Sequence, residues 1–392
     1  MSTGVTDAGA ASMEGLEKKL AGLSLARRSR PEDPTYLLDA ALQPDAGGLL
    51  AVSCSDFTLR LHDKDTLGRV GEFKGHRKPL CGLTFARGSP DLLFSGSADG
   101  TVRAWDVRRP GSAAAQTFSS DPAHAYCSFD VSCGDALLTA GTEQLQDDSF
   151  LVFWDRRKPG TVLLGAYSES HSDDITQVRF HPRDKDRLAS GSTDGLVNVF
   201  DLSRGAEDEA LLATCNSGSS AGAVCWSGPA YQQLLCLSHD EGLHLWDLSR
   251  LHTDQPLAVF AAADARGLAP LPGGRGVDYL VGGRWLEGAG RLLVVGGTGG
   301  GDLHLMECDG DGLRLLRSLE GGHAATVRCF VWDEATDALI TGGEDAQLLL
   351  WKPGGEELTA GSRESMKSQS ALRVKSRPHK KVSYQREKKT TT

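Results

Sequence analysis

The chain has 392 residues, 40% of them hydrophobic and 24% charged, with a formal net charge of −10. That balance suits a soluble globular protein; no run approaches the ~18 consecutive apolar residues of a membrane helix, and the first residues lack the basic-then-apolar pattern of a secretory signal. Nine cysteines without a C-x-x-C pair and eleven dispersed histidines argue for reduced core thiols in the cytosol or nucleus, and against a disulfide framework, a metal centre or a bound cofactor.

Taken in chain order, residues 1–19 read as a flexible lead, with a short helix over Met13 to Leu20 as the structured alternative. Leu20 to Ala26, in which Leu23 and Leu25 alternate with smaller residues, reads as a strand. From there to about residue 353 the chain repeats a unit of strand, tight turn, strand and Trp-Asp. The second repeat runs Leu92 to Asp106, the fourth Leu188 to Asp201 and the seventh Leu339 to Lys352. Looser copies end at His62-Asp63, Trp154-Asp155, Trp246-Asp247 and Met306-Glu307. The Trp-equivalent positions are spaced 43, 49, 46, 46, 60 and 45 residues apart, and an Asp stands six residues before six of the seven.

The register has a physical reading. Each unit alternates apolar and polar residues, as half-buried strands must, and Asp-Gly between two such runs makes a tight turn. A four-stranded sheet cannot cover both of its own faces; sheets stacked radially cover one another. The expectation is an all-β, seven-bladed propeller over 20–353.

These motifs resemble the WD-repeat family, on the pairing of Gly75-His76 with Trp105-Asp106 and of Gly322-His323 with Trp351. The resemblance implies a ring whose last blade borrows its outer strand from Leu20–Ala26, because Lys352-Pro353-Gly354-Gly355 breaks the chain before a fourth strand. It also implies buried His, Ser/Thr, Asp and Trp tetrads: His76, Ser95, Asp99 and Trp105; His323, Thr341, Asp345 and Trp351; and His171, Ser190 and Asp194, with Phe200 in the indole position. A catalytic reading of these triplets fails because one active site needs no near-copies, so no enzyme activity is expected.

Two longer connections suggest functional loops: Glu143 to Ser149 in blade three, and Ala261 to Val277 before blade six. Glu143, Asp147, Asp148, Asp173 and Asp174 would make an acidic rim for a basic protein partner; a merely solvated rim is the alternative. Arg108 and Arg157 lie in W-D-x-R boxes that resemble those docking onto a cullin-RING ubiquitin ligase adaptor, although the fold alone accounts for Trp-Asp. Gly296 to Gly301 lacks the Lys-Ser/Thr of a phosphate loop and reads as a turn. Residues 354–392 form a basic tail with a disordered composition; 361–392 alone carry ten Lys or Arg against two Glu. Arg373, Lys375, Arg377, Lys380, Lys381, Arg386, Lys388 and Lys389 suggest nuclear import or simple solubility, with nucleic-acid contact the lesser expectation. The sum is a monomeric, membrane-free interaction scaffold of nucleus and cytoplasm.

Overall fold

The computed structural model describes residues 16–29, 35–44, 48–251, 256–271, 274 and 276–355. The strands form seven four-stranded antiparallel sheets. In six of them the order in space follows the order in the chain; blade one is Leu37–Leu42, Leu49–Cys54, Leu59–Asp63 and Arg69–Phe73, here strands a to d. The central strands b and c are apolar on both faces because each face meets a different blade. In blade two, Leu93 and Trp105 pack with Leu59, Leu61 and Phe73 of blade one. The neighbouring Phe94, Val102 and Ala104 turn the other way, onto Phe129 and Leu138 of blade three. The chain is thus a seven-bladed β-propeller.

Blade seven is completed from the other end of the chain. Its order is Leu23–Arg28, Leu348–Pro353, Ala338–Gly343, Val327–Asp333. Leu23 stands opposite Pro353 and Leu25 opposite Trp351. Ser29 N–H donates to the Leu348 carbonyl at 2.8 Å, and Gly354 N–H to Gly22 O at 2.9 Å. The closing strand therefore starts three residues later than the sequence suggests. Leu20 is part of a helical segment, 16–21, and is withdrawn from the strand because its side chain is wanted elsewhere. Leu16 and Leu20 are buried among Leu286, Leu303, Leu319 and Leu339, between blades six and seven. Glu17 pairs with Arg314, which also meets Glu307 at 2.5 Å, and Lys19 meets Asp337 at 2.9 Å. Across the junction with blade one, Lys64 and Asp333 form a mostly buried pair at 2.6 Å.

Two connections carry more structure than plain loops, and the second differs from the sequence reading. The c–d link of blade four holds a 3-10 turn, Leu202–Arg204, and a short helix, Glu207–Ala210. The Glu207 carboxylate accepts the N–H groups of Ser168 and Glu169, at 2.7 and 2.9 Å. The connection expected over Ala261–Val277 begins only after Ala262, because blade five's outer strand is Leu257–Ala262. Nor is it only a surface loop: Ala265, Ala269, Leu271 and Val277 are buried against blades five and six.

One backbone feature recurs in the b–c turns. The residue after the turn Asp has a left-handed conformation in five blades: Phe57 (φ 65°), Gly100 (79°), Gly195 (85°), Glu241 (63°) and Ala346 (60°). Only two are glycines, so the register enforces a conformation that a side chain resists.

Two outcomes follow. Leu20→Ala should lower stability by about 2–4 kcal/mol, the cost of a cavity at a fully buried leucine, read as a lower urea midpoint. Ala346→Gly should raise stability by up to about 1 kcal/mol by relieving the left-handed alanine; a lower melting temperature would contradict the strain argument.

Candidate functional site

Three blades carry the same polar chain. In blade two, Trp105 Nε1 donates to Ser95 Oγ at 2.9 Å, Ser95 lies 2.8 Å from His76 Nε2, and His76 Nδ1 lies 3.0 Å from Asp99. In blade seven the corresponding distances, through Thr341, are 3.1, 2.8 and 3.0 Å. In blade four, His171 lies 2.7 Å from Ser190 and 3.1 Å from Asp194. Phe200 is buried in the indole position without a donor. Here Asn198 takes up polar slack that sequence reasoning missed. Its Nδ2 donates to Ser170 O at 2.6 Å and its Oδ1 accepts from Thr214 at 2.7 Å. Asn198 occupies an inward strand position, which offered the signal in advance. The Ser95 and Ser190 hydroxyls are fully buried and already engaged, so these chains have structural partners where a catalytic serine would need a substrate.

The carboxylate at the end of each chain does two jobs. Asp99 accepts Thr101 N–H across the b–c turn, at 3.1 Å, and Arg77 N–H in the loop entering the blade, also at 3.1 Å. Asp194 does the same with Leu196 and Ser172, and Asp345 with Gln347 and Ala324. Burial disfavours the ionised form, but the His, turn and loop hydrogen bonds outweigh it and hold all three carboxyls below their ordinary range. Each Asp therefore staples a b–c turn to a d–a loop, which puts both loop sets on one face of the ring.

On that face the structure brings the acidic residues of blades three and four together. The 143–149 turn leans onto blade four's incoming loop: Gln144 N–H donates to Asp174 Oδ1 at 2.7 Å, Gln144 Nε2 to Ser172 O at 2.7 Å, and Ser149 Oγ to His171 O at 3.0 Å. Glu143, Asp147 and Asp148 are exposed, as is Leu145 at the tip; Asp173 and Asp174 are half-buried. Burial, followed by the charges of Asp174 and Glu143, pushes the Cys127 thiol up to about 12, so those two carboxylates share one field. No ion pair ties any of the five to a described cation. Asp174 differs from the others in tying its loop to the neighbouring turn, while Asp173 accepts only the N–H of Asp174 itself, at 2.8 Å.

The two arginines of the W-D-x-R boxes lie elsewhere, in c–d turns. Arg108 forks onto Asp106 with both contacts at 2.8 Å, and Arg157 onto Asp155 at the same distances; both side chains are exposed. The fork holds Asp106 and Asp155 down at about 2. Arg266 makes an identical fork on Asp264, outside any such box. The arrangement is a local property of Asp-x-Arg in a turn. The glycine run forms the end of strand Arg291–Gly297 and the following turn, where Thr298 N–H bonds Asp302 O at 2.9 Å. The eight basic tail residues, from Arg373 to Lys389, lie outside the described residues.

A family model for "WD domain, G-beta repeat" matches residues 68–106, 163–201 and 313–352. Each match spans the outer strand of one blade and the three inner strands of the next, ending on the three blades whose histidine chains are intact. WD repeat-containing protein 89 homolog of Dictyostelium discoideum is 28% identical over 82% of this chain and 83% of its own length. WD repeat-containing protein GTS1 of Arabidopsis thaliana is 30% identical over 77% of this chain and 78% of its own. Mouse pre-mRNA-processing factor 19 is 27% identical over 42% of this chain and 31% of its own. The chain belongs to the WD-repeat family, whose propellers act as interaction scaffolds.

The polar chains predict an asymmetry. Ser95→Ala strands both the His76 ring and the Trp105 indole, whereas Ser190→Ala strands only His171. At about 1–3 kcal/mol per orphaned buried group, the blade-two variant should be the less stable by at least about 1 kcal/mol in chemical unfolding. Equal losses would show that the indole bond contributes nothing.

Proposed function

We propose that this protein is a non-catalytic interaction scaffold whose acidic loop face grips a basic protein partner in a nuclear or cytosolic complex. One observation carries the reading: five carboxylates, from Glu143 to Asp174, crowd a stapled loop pair with no described cation to neutralise them. Like charges held together in this way repel one another, and a basic partner would relieve the repulsion. Such a field speeds encounter and selects for charge more than it adds affinity. Leu145, 55% exposed at the tip, supplies an apolar contact amid the charge. The propeller without a partner is taken as monomeric. The name of the mouse relative, pre-mRNA-processing factor 19, supports a nuclear setting, as does the basic composition of the tail.

The second reading, docking of Arg108 and Arg157 onto a ubiquitin-ligase adaptor, ranks below the first because the same fork at Arg266 needs no adaptor to explain it.

Changing Glu143, Asp147, Asp148 and Asp173 to Lys, with Asp174 left to tie its loop to the neighbouring turn, should abolish recovery of basic partners from cells. Surface changes of this kind should move unfolding free energy by no more than about 0.5 kcal/mol. An unaltered set of partners would sink the proposal.

A further inference from the structure

The innermost strands enclose a cavity of about 1060 Å³ that extends from the middle of the ring to the a–b turns, on the side away from the acidic loops. Five arginines line it, and three have partners. Arg87 donates to Pro182 O at 2.5 Å, Arg183 meets Glu287 at 2.9 Å, and Arg328 bonds Glu344 at 2.8 Å. The other two, Arg179 of blade four and Arg284 of blade six, have no carboxylate in ion-pair range among the described residues. Arg179 spends one N–H on the carbonyl of its own neighbour, Val178, at 3.0 Å; Arg284 makes no hydrogen bond to a described residue. They flank Cys225, on the blade between them. Burial holds that thiol up, and the Trp285 N–H and the charges of Arg284 and Arg179 act against it, so both cations act on the stretch of wall between them.

The cavity's own anions, Asp39 and Asp130, act on Arg179 through space without forming an ion pair, and burial pushes both carboxyls up. Asp39 accepts Ala40 N–H at 2.8 Å and, in the next blade, Leu83 N–H at 3.2 Å. Asp130 accepts Val131 N–H at 2.8 Å and Phe180 N–H at 2.7 Å, also in the next blade. Both carboxylates are latches between blades, with each oxygen occupied. A guanidinium offers five N–H donors in a fork that matches a carboxylate two at a time, and in a walled channel water satisfies them poorly.

We propose that the channel is a binding site for a monoanionic carboxylate carried on an aromatic or apolar body, gripped between Arg179 and Arg284. Phe129, Trp285 and Phe330 line the same space and would receive the body. A dianion such as phosphate would be repelled by Asp39 and Asp130, which line the same cavity within reach of Arg179's charge, so a single negative charge is the better fit. The ligand enters past Arg183, Tyr231 and Glu287, where the Tyr231 hydroxyl and Arg183 both close on Glu287. The site is independent of the acidic face.

The test is ligand-observed NMR and calorimetry on the full chain. The probes are indole-3-acetate, indole-3-acetamide, inorganic phosphate, and the peptide Gly-Gly-Trp with a free or an amidated C-terminus. Indole-3-acetate should bind, and the amide about tenfold or more weaker. Arg179→Gln and Arg284→Gln should each cost a similar factor, with Arg179→Lys recovering part of it; Arg284 lies open to the channel, so its variant should fold normally. Tighter binding of the free-acid peptide than of indole-3-acetate would mark a peptide terminus as the source, and the reverse a small organic acid; both uphold the site. Equal binding of acid and amide, unchanged affinity in both Gln variants, preference for phosphate, or no binding at millimolar concentration would each overturn it.

Discussion

Everything in this molecule depends on one constraint: each sheet is apolar on both faces and cannot cover either by itself. Leu93 and Trp105 need blade one, and Phe94 and Val102 need blade three, from the same pair of strands. A row of such sheets would always leave two bare faces. Only a closed ring leaves none, and closure fixes the positions of every loop and of the channel.

The ring closes by a displaced repeat. Sequence units begin on the outer strand of one blade and end in the next, as the matched segments do. The last unit therefore lacks an outer strand and the first strand of the chain supplies it. Hydrogen bonds from Leu23–Arg28 do part of this work. The helical segment before them does the rest, since Leu16 and Leu20 fill the seam between blades six and seven and Glu17 joins the Arg314–Glu307 pair. Lys64 and Asp333 hold the other side of the seam.

Given the ring, polar residues divide into those that hold it and those left over. Asp99, Asp194 and Asp345 staple turns to loops; Asp39 and Asp130 latch one blade to the next. Among the leftovers, the carboxylates of blades three and four gather on one face, and Arg179 and Arg284 point into the channel from the blades on either side of Cys225. Charges with no ion-pair partner are the natural places to look for external ones, and the two groups have opposite sign, one on the loop face and one in the channel.

The blade count, the b–c turns and the chemistry of the His76, His171 and His323 chains were legible in the sequence, because they depend on residues within one repeat and so recur in register. So was the borrowed strand, since Lys352-Pro353-Gly354-Gly355 plainly stops the last repeat short. What the sequence could not show depends on neighbours far apart in the chain. The start of the closing strand was set by where Leu20 finds its pocket. The burial of Ala265, Ala269 and Leu271 turned an apparent loop into core. That Arg179 and Arg284 line one cavity is invisible to any repeat, because they lie 105 positions apart in the numbering and share a wall only when blades four, five and six stand side by side around a common axis.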